Sequence, residues 1–396
     1  MNKNSQVIYL KDYQVPAFII ETTDLDIRIG DEYTSVVARL KVRRNPAASE
    51  PSSELILQGS EHIKLQEMMM DGLILETSSY ELEGAMLSIY QCPQAFELTT
   101  ECLIQPQLNT SLEGLYKSGS MYCTQCEAEG FRNITYYLDR PDALSVFTTR
   151  ISADKSRYPI LLANGNSIGQ GDLDHGEHFA VWHDPFPKPA YLFAMVAGDL
   201  VRKDEQFTTL SGRKVDLKIF VEAHNSHKCE HALASLKRSM LWDEQAYGRE
   251  YDLDLFMIVA VDDFNMGAME NKGLNIFNSD CVLADPATSS DAMFERIEGI
   301  VAHEYFHNWS GNRVTCRDWF QLSLKEGFTV YRDAQYTADT YSAAVKRIDD
   351  VTILRTHQFA EDAGPMAHPI RPASYMEINN FYSVTVYEKG AEVVGM

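Results

Sequence analysis

Two histidines four residues apart, with a glutamate beside the first, are the strongest chemical signal in this sequence of 396 residues. The segment reads His303-Glu304-Tyr305-Phe306-His307. On a helix, residues four apart lie one above the other, so both imidazoles can meet one metal ion. Glu304 then projects to the side on which the attacking water of a hydrolysis would sit. The spacing therefore indicates a metal site on a helix with a general base next to it.

A third ligand is needed to complete such a site. Catalytic zinc takes three protein ligands and one open position, and it lowers the pKa of a coordinated water to about 7. Glu326 lies nineteen residues after His307, which suits a turn through residues 313–318 and a second helix packed on the first. The alternative is a surface helix that carries two histidines by chance. The glutamate downstream favours the zinc site.

Hydrophobic periodicity predicts the elements that hold this motif. Residues 291–309 carry apolar side chains on one helical stripe, and Ser290 or Asp291 can serve as the N-cap. Helices are also predicted over residues 230–247 and 322–341, and residues 255–261 form an apolar run typical of a buried strand. This half of the chain is predicted to be α+β and to hold the chemistry.

The first half of the chain has the pattern of an all-β module. Short β-branched or aromatic stretches are separated by clusters of Pro, Gly, Asn and Asp. Strands are predicted at residues 7–10, 17–21, 34–42, 55–57, 134–138, 179–182 and 191–196. The sequence thus predicts two domains, an all-β domain over residues 1–199 and an α+β catalytic domain over residues 200–396.

Composition limits the partners and the compartment. The formal net charge of −22 opposes binding to phosphate backbones and to anionic lipid, so we expect neither a nucleic-acid partner nor a membrane. No apolar run reaches the length of a membrane span, and the first residues show no secretory signal. Seven cysteines, an odd number, argue against a disulfide framework and for a reducing compartment. We expect a cytoplasmic protein.

These motifs together resemble one family, the aminopeptidase N family of zinc metallopeptidases (gluzincins), and in particular its bacterial alanyl aminopeptidase branch. The resemblance rests on Gly267-Ala268-Met269-Glu270-Asn271, followed by His303-Glu304-x-x-His307 and Glu326 at the family's spacing. The flanking segments 123–132, 184–189 and 381–394 look alike too, so the resemblance covers essentially the whole chain. It implies a saddle-like all-β N-terminal domain and a thermolysin-like α+β catalytic domain. The implied activity is removal of N-terminal amino acids from peptides, with broad specificity.

The resemblance also implies roles for single residues. His303, His307 and Glu326 would hold one Zn²⁺ per chain, Glu304 would be the general base, and the Tyr387 hydroxyl would donate to the developing oxyanion. Glu127 and Glu270 match the anchors of the substrate's α-ammonium, a role that suits carboxylates because charge-assisted hydrogen bonds are strong. Substrate binding is completed by residues along a glycine-containing segment and around a side-chain pocket: Met266, Gly267, Ala268, Met269, Asn271, Gln125 and Tyr382.

Two alternatives to an active aminopeptidase stay open. An epoxide hydrolase acting on a lipid would share the zinc site, although the pocket residues match the peptidase branch. A catalytically idle or weakly active zinc-binding fragment is the other alternative. Residues 387–396 are typical of the first turns of a helix that ends without a cap, and Gly395 stands where the branch has an arginine. We therefore expect the catalytic domain to be truncated, and we expect a monomer that acts on peptides with a free N-terminus.

Two further clusters of potential ligands are interpreted as structural. Cys123-x-x-Cys126 has no second pair to complete a zinc ribbon, so buried thiols are expected. The histidines and the cysteine of residues 224–231 have a spacing that fits no single helix face. Arg313 and Arg317 are expected to form structural ion pairs in so acidic a chain.

Overall fold

The computed structural model describes residues 7–49 and 52–396, and up to residue 198 it consists mainly of strands. Alternation of buried and exposed residues explains them: along Phe18–Ile29 and Thr34–Arg44, apolar side chains enter the core at nearly every second position. The strands are β1 (Ile8–Tyr9), β2 (Phe18–Ile29), β3 (Thr34–Arg44), β4 (Leu55–Gln58), β5 (Lys64–Met70), β6 (Leu73–Ile74), β7 (Tyr80–Glu83), β8 (Met86–Ile89), β9 (Ala95–Ile104), β10 (Gly114–Ser118), β11 (Met121–Gln125), β12 (Ser145–Asp154), β13 (Ile160–Ala163), β14 (Asn166–Asp172), β15 (Glu177–Lys188) and β16 (Met195–Gly198).

Three sheets contain strands β2 to β16 of this part of the chain. The largest has eight strands in the order β14-β15-β12-β2-β3-β9-β5-β6, a second has the order β10-β11-β16-β13, and a third has the order β4-β8-β7. All pairs in them are antiparallel except β12 with β2. The β-rich N-terminal domain predicted from the sequence is therefore confirmed, whereas its boundary at residue 199 stays a prediction.

The rest of the chain combines a five-stranded sheet with helices, which confirms the predicted mixed class. The sheet has the order β17-β18-β19-β21-β20, with β18, β19 and β21 parallel. Every residue of Leu255–Val261 is buried, as expected for a parallel strand covered on both faces. The elements are β17 (Val201–Thr208), β18 (Lys214–Val221), β19 (Leu255–Val261), β20 (Ala268–Met269), β21 (Leu274–Asn278), β22 (Ser374–Tyr375), α1 (Glu230–Tyr247), α2 (Asp291–Phe306), α3 (Leu322–Thr340), α4 (Ala343–Ile353), α5 (Phe359–Asp362) and α6 (Gly390–Gly395).

Helix α2 begins where the sequence predicts and ends earlier. The Ser290 hydroxyl accepts a hydrogen bond from the Met293 backbone N–H and so caps the first turn. The helix stops at Phe306 rather than at residue 309, and His307 is its C-cap. The His307 N–H still donates to the His303 carbonyl. Both histidines therefore keep the one-turn spacing on which the metal motif depends.

The sequence predictions differ from the structure in three other regions. The strand predicted at residues 191–196 begins only at Met195, because Ala190–Leu192 form a 3₁₀ turn closed by backbone hydrogen bonds. Residues 134–138 do not form a strand; Tyr137 makes a single bridge with Gln58 and its ring packs edge-on against Phe131. Burial of aromatic side chains, and not sheet pairing, explains that apolar run. In the C-terminal part, α4 and its continuation as a π-helical turn at Leu354–Gln358 were not predicted. The helix expected over residues 387–396 is present as α6, but a π-helical turn at Thr385–Lys389 precedes it.

The two parts of the chain are joined by polar and cation–π contacts. The Asn164 side-chain amide donates to the backbone carbonyls of Leu192 and Lys272. The Phe186 ring lies 3.9 Å from the Arg313 guanidinium and 5.1 Å from the Lys272 ammonium. Strand β1 pairs with β22, so residues near both ends of the chain meet. Among the described residues, no helix combines the length and the apolar character needed to cross a bilayer.

Candidate active site

The three predicted metal ligands converge on one point. The Nε2 atoms of His303 and His307 lie 2.9 Å apart. The Oε2 atom of Glu326 lies 3.4 Å from the first and 3.2 Å from the second. Ligand atoms held tetrahedrally at about 2.0–2.1 Å from one ion stand about 3.3 Å apart. The donor set and its spacing therefore fit a single metal ion.

Each histidine ring is oriented by a hydrogen-bond partner at its Nδ1 atom, the ring nitrogen that does not face the candidate metal position. The Nδ1 atom of His303 is 2.6 Å from Asp333 Oδ2, and the Nδ1 atom of His307 is 2.9 Å from the Ser310 carbonyl oxygen. Such partners fix the tautomer and direct the free Nε2 lone pair at the metal. Sequence reasoning missed Asp333. The sequence feature that could have predicted it is its spacing, because Asp333 lies seven residues, or two turns, after Glu326 on the same face of the helix.

Glu304 and Tyr387 lie on the walls of one cavity of ≈ 610 Å³ together with the candidate metal ligands. Burial raises the pKa of the Glu304 carboxyl well above its ordinary value, and the nearby carboxylates of Glu270 and Glu326 add to this, whereas His303 opposes it. A carboxylate with a raised pKa is suited to accept and return a proton. The Tyr387 ring lies nearly parallel to the His303 ring, with centroids 6.3 Å apart.

Glu127 and Glu270 meet beside the candidate metal ligands, although they come from the β-rich and the mixed part of the chain. Glu127 follows β11 of the β-rich part, Glu270 follows β20, and both line the cavity. Burial raises the pKa of Glu127 to about 8 against the opposing effect of Lys325. For Glu270, burial is the largest single effect and acts upward, but the Lys325 ammonium, the His307 imidazole and the hydrogen bond from Lys325 together hold the pKa of the carboxyl below its ordinary value. Sequence reasoning missed Lys325, which precedes a predicted ligand.

The segment that contains Gly267 and Ala268 borders the cavity at the edge of the sheet. Strand β20 is the last strand in the order of the five-stranded sheet, and it pairs on one side with β21. Met266, Gly267 and Ala268 line the cavity. Among the described residues, a Cβ atom added to Gly267 would meet only the Cys281 Sγ atom, at 3.6 Å. An extended peptide can therefore approach this backbone and add to the sheet.

Four of the predicted substrate-binding residues lie around the cavity and not on its walls. The Met269 side chain is fully buried in the main apolar core. Asn271 is fully buried, and its side-chain nitrogen and oxygen have no hydrogen-bond partner among the described residues. The Gln125 amide donates to the Glu127 carbonyl. The buried Tyr382 hydroxyl has no partner among the described residues, and burial raises its pKa well above the ordinary value.

The potential ligands within each cluster interpreted as structural do not form a common site with one another, although His224 lies near the carboxylates of Glu222 and Asp262. Cys123 and Cys126 are buried free thiols. His224 faces Glu222 at 3.7 Å, whereas His231 contacts the Phe294 carbonyl at 2.7 Å. Arg313 pairs with Asp252 and Arg317 with Asp318, in agreement with the predicted ion pairs.

Two family models match the sequence. Residues 21–192 match the peptidase M1 N-terminal domain, and residues 231–396 match the peptidase family M1 domain. The first match falls in the strand-rich part, and the second contains the three candidate metal ligands and Glu304. The two matches therefore agree with the division of the chain into a β-rich and a mixed part.

Similar proteins cover nearly the whole chain. It is 58% identical over 391 residues to aminopeptidase N of Caulobacter vibrioides, which covers 99% of this chain and 45% of that protein. It is 54% identical over 396 residues to aminopeptidase N of Escherichia coli, which covers 100% of this chain and 45% of that protein. A crystal structure of Legionella pneumophila aminopeptidase A in complex with aspartic acid matches with a TM-score of 0.92 at 35% identity, covering 98% of this chain and 44% of that one. The chain thus spans about half the length of these relatives.

Proposed function

This chain belongs to peptidase family M1, and from that membership and the geometry of its site we propose that it is a zinc-dependent aminopeptidase. It would remove N-terminal amino acids from peptides with broad specificity. The observation that carries the proposal is the position of Glu127 and Glu270 in the cavity that also holds the metal ligands. A metal triad alone fits any hydrolase, whereas two carboxylates beside it fit a substrate that ends in an ammonium group.

Glu127 and Glu270 would bind the α-ammonium of the first residue. Because both carboxylates are buried, an internal peptide segment, which has no ammonium, would leave them without that partner. The peptide backbone would run along Gly267 and Ala268 as an added strand. Met266 would contact the first side chain, and its pliable thioether fits several apolar shapes. Gln125, Tyr382, Met269 and Asn271 would support this pocket from behind its walls.

Glu304 would take a proton from the attacking water and deliver it to the leaving amine. The Tyr387 hydroxyl would donate a hydrogen bond to the oxygen on which negative charge develops; its pKa, raised by burial, keeps that proton in place. His303, His307 and Glu326 would hold one Zn²⁺. When bound, zinc supplies the Lewis acidity that makes water nucleophilic near neutral pH.

We also propose a cytoplasmic monomer. All seven cysteines lie among the described residues and are free and buried, which suits a reducing compartment. Peptide catabolism is the process that a broad-specificity aminopeptidase of that compartment would serve.

Hydrolysis of alanine p-nitroanilide by the zinc-loaded chain tests the activity. We expect release of p-nitroaniline, loss of activity with a zinc chelator and recovery when zinc is added back. The Glu304→Gln variant should keep its zinc and lose turnover. A chain that binds zinc and releases no product would instead be an idle metal-binding fragment, and a Glu304→Gln variant with full turnover would remove Glu304 from the role of base.

The KM values of glutamine variants test whether Glu127 and Glu270 bind the α-ammonium of the substrate. Glu270→Gln and Glu127→Gln should each raise the KM for the free-amine substrate, because a charge-assisted hydrogen bond is lost at each position. Glu129→Gln is the matched control, since Glu129 lies on the same loop as Glu127 and pairs with Arg132 at 3.2 Å. An unchanged KM in both anchor variants would remove their proposed role.

A further inference from the structure

Lys325 connects the amine anchors to the metal ligands. Its Nζ atom lies 2.8 Å from Glu127 Oε1 and 2.6 Å from Glu326 Oε1, and it donates a hydrogen bond to Glu270 Oε1. Its side chain is only 1% exposed. The ammonium also lies 5.6 Å from the centre of the Tyr191 ring. One buried cation therefore contacts two proposed anchors and one proposed ligand.

The two oxygens of Glu326 face different partners. Oε1 is the oxygen nearest to Lys325, and Oε2 is the oxygen nearest to both histidines. A carboxylate held in this way offers one oxygen to a metal ion. With one oxygen from Glu326 and one nitrogen from each histidine, a tetrahedral metal ion would keep its fourth position free for water or substrate.

The three carboxylates around Lys325 would otherwise form a second cation site. Glu127, Glu270 and Glu326 each offer an oxygen within 4.8 Å of the others, and all three are buried. Three buried like charges at this spacing repel one another unless a cation lies between them. Lys325 supplies that cation from within the chain.

We propose that Lys325 is a positioning residue that occupies this second cation site, limits the centre to one metal ion and holds Glu326 and the two anchors in place. The inference deepens the proposed function and rests on it for the roles of the anchors. Lys325 acts through the three glutamates, and it need not touch the substrate.

Zinc binding and kinetics of Lys325→Met test the positioning role. We expect the Kd for zinc, measured by competition with a fluorescent chelator, to rise about 10- to 100-fold, as for other residues that orient ligands. The KM for alanine p-nitroanilide should rise as well. Lys188→Met is the matched control, because Lys188 is equally buried and pairs with Asp184 at 3.2 Å away from the site. It should lower stability and leave both constants as in the wild type.

Lys325→Ala tests the second cation site by stoichiometry. The shorter side chain leaves space between the three carboxylates, so we expect two zinc ions per chain by metal analysis, against one in the wild type. Lys325→Arg keeps the positive charge and should bind one zinc ion more tightly than Lys325→Met does. If the variants that fold bind one zinc ion with the wild-type Kd and keep the wild-type KM, the proposal is wrong. A wild type that binds zinc without hydrolysis would refute the proposed function, and the zinc measurements would still decide the role of Lys325.

Discussion

Gly327 and Gly390 touch at their backbones. A Cβ atom added to Gly327 would lie 2.8 Å from the Gly390 carbonyl carbon, and one added to Gly390 would lie 3.2 Å from the Gly327 Cα atom. Gly327 follows the proposed ligand Glu326 on α3, and Gly390 begins α6 three residues after Tyr387. This contact between two glycines therefore sets the distance between the helix that carries the proposed ligand and the segment that carries the proposed oxyanion donor.

Replacing Gly327 by alanine should lower kcat. The added methyl group must push α6 and the turn before it away from α3, because the atoms it meets are backbone atoms. Displacement of Tyr387 by about an ångström is expected to lower kcat by about 10- to 100-fold. The zinc content should stay at that of the wild type, since Glu326 and both histidines remain. Steady-state kinetics with alanine p-nitroanilide, together with metal analysis, measure both quantities.

Leu324→Ala is the control for this change, because Leu324 lies on the same helix and is 68% exposed. It should leave kcat unchanged. A Gly327→Ala variant with the kcat of the wild type would show that the contact between the two glycines does not determine the position of Tyr387.

Asp333→Asn should weaken metal binding. The asparagine can keep a hydrogen bond to His303 Nδ1 but loses the negative charge that makes the imidazole a better ligand, so the Kd for zinc should rise about 10- to 100-fold. Competition with a chelator measures it. Asp339→Asn is the matched control on the same helix, where Asp339 is exposed and accepts a hydrogen bond from the Trp242 indole. Equal zinc affinities in the two variants would contradict a role for Asp333 at the metal.

The convergence of His303, His307 and Glu326 could be predicted from the sequence, because it depends on short spacings along helices. His303 and His307 are one turn apart, and Glu326 lies in the first turns of the next predicted helix. The mixed class of this part could be predicted too, since residues 230–247 and 255–261 have strong helical and buried-strand patterns that match α1 and β19.

The packing around the triad could not be predicted in the same way. Gly327 looks like a weakness in a helix pattern, yet it lies where the backbones of two helices touch. Glu127 and Glu270 are 143 residues apart, and only the approach of two domains brings them to one lysine. Contacts of this kind depend on tertiary structure, which periodicity in one sequence does not encode.

Gly311→Ala should damage the metal site through His307. Gly311 has a φ angle of 150°, and an added Cβ would lie 2.8 Å from the His307 Nδ1 atom and 3.2 Å from the Lys325 Cγ atom. The His307 ring must move, so zinc affinity should fall together with stability. Gly212→Ala is the control, since Gly212 has a φ angle of 88° with no atom within 4 Å.

The Gly212→Ala control imposes the backbone strain of alanine at a positive φ angle, about 1–3 kcal/mol, at a position that does not contact the site. It should therefore unfold at lower urea concentration and still bind zinc as the wild type does. If Gly311→Ala behaves in the same way as Gly212→Ala, the close approach to His307 has no effect on the metal.

Glu388 should make stability depend on pH near neutrality. Burial raises the pKa of its carboxyl to about 7, Asp333 adds to the rise and Lys346 opposes it. The native chain therefore binds this proton more tightly than the unfolded chain does, for which the ordinary value is 4.5. The contribution of Glu388 to the free energy of unfolding is fully present below that value and is lost as the pH rises through about 7.

In Glu388→Gln, which has no ionisable carboxyl at this position, the loss should be absent. Urea unfolding of both proteins at about pH 5 and about pH 8 should show the variant gaining on the order of 1–3 kcal/mol relative to the wild type at the higher pH. Glu392→Gln, on the next turn with a side chain 35% exposed, removes the same charge and should show no such gain. A difference between Glu388→Gln and the wild type that is equal at the two pH values would mean that Glu388 does not titrate in this range.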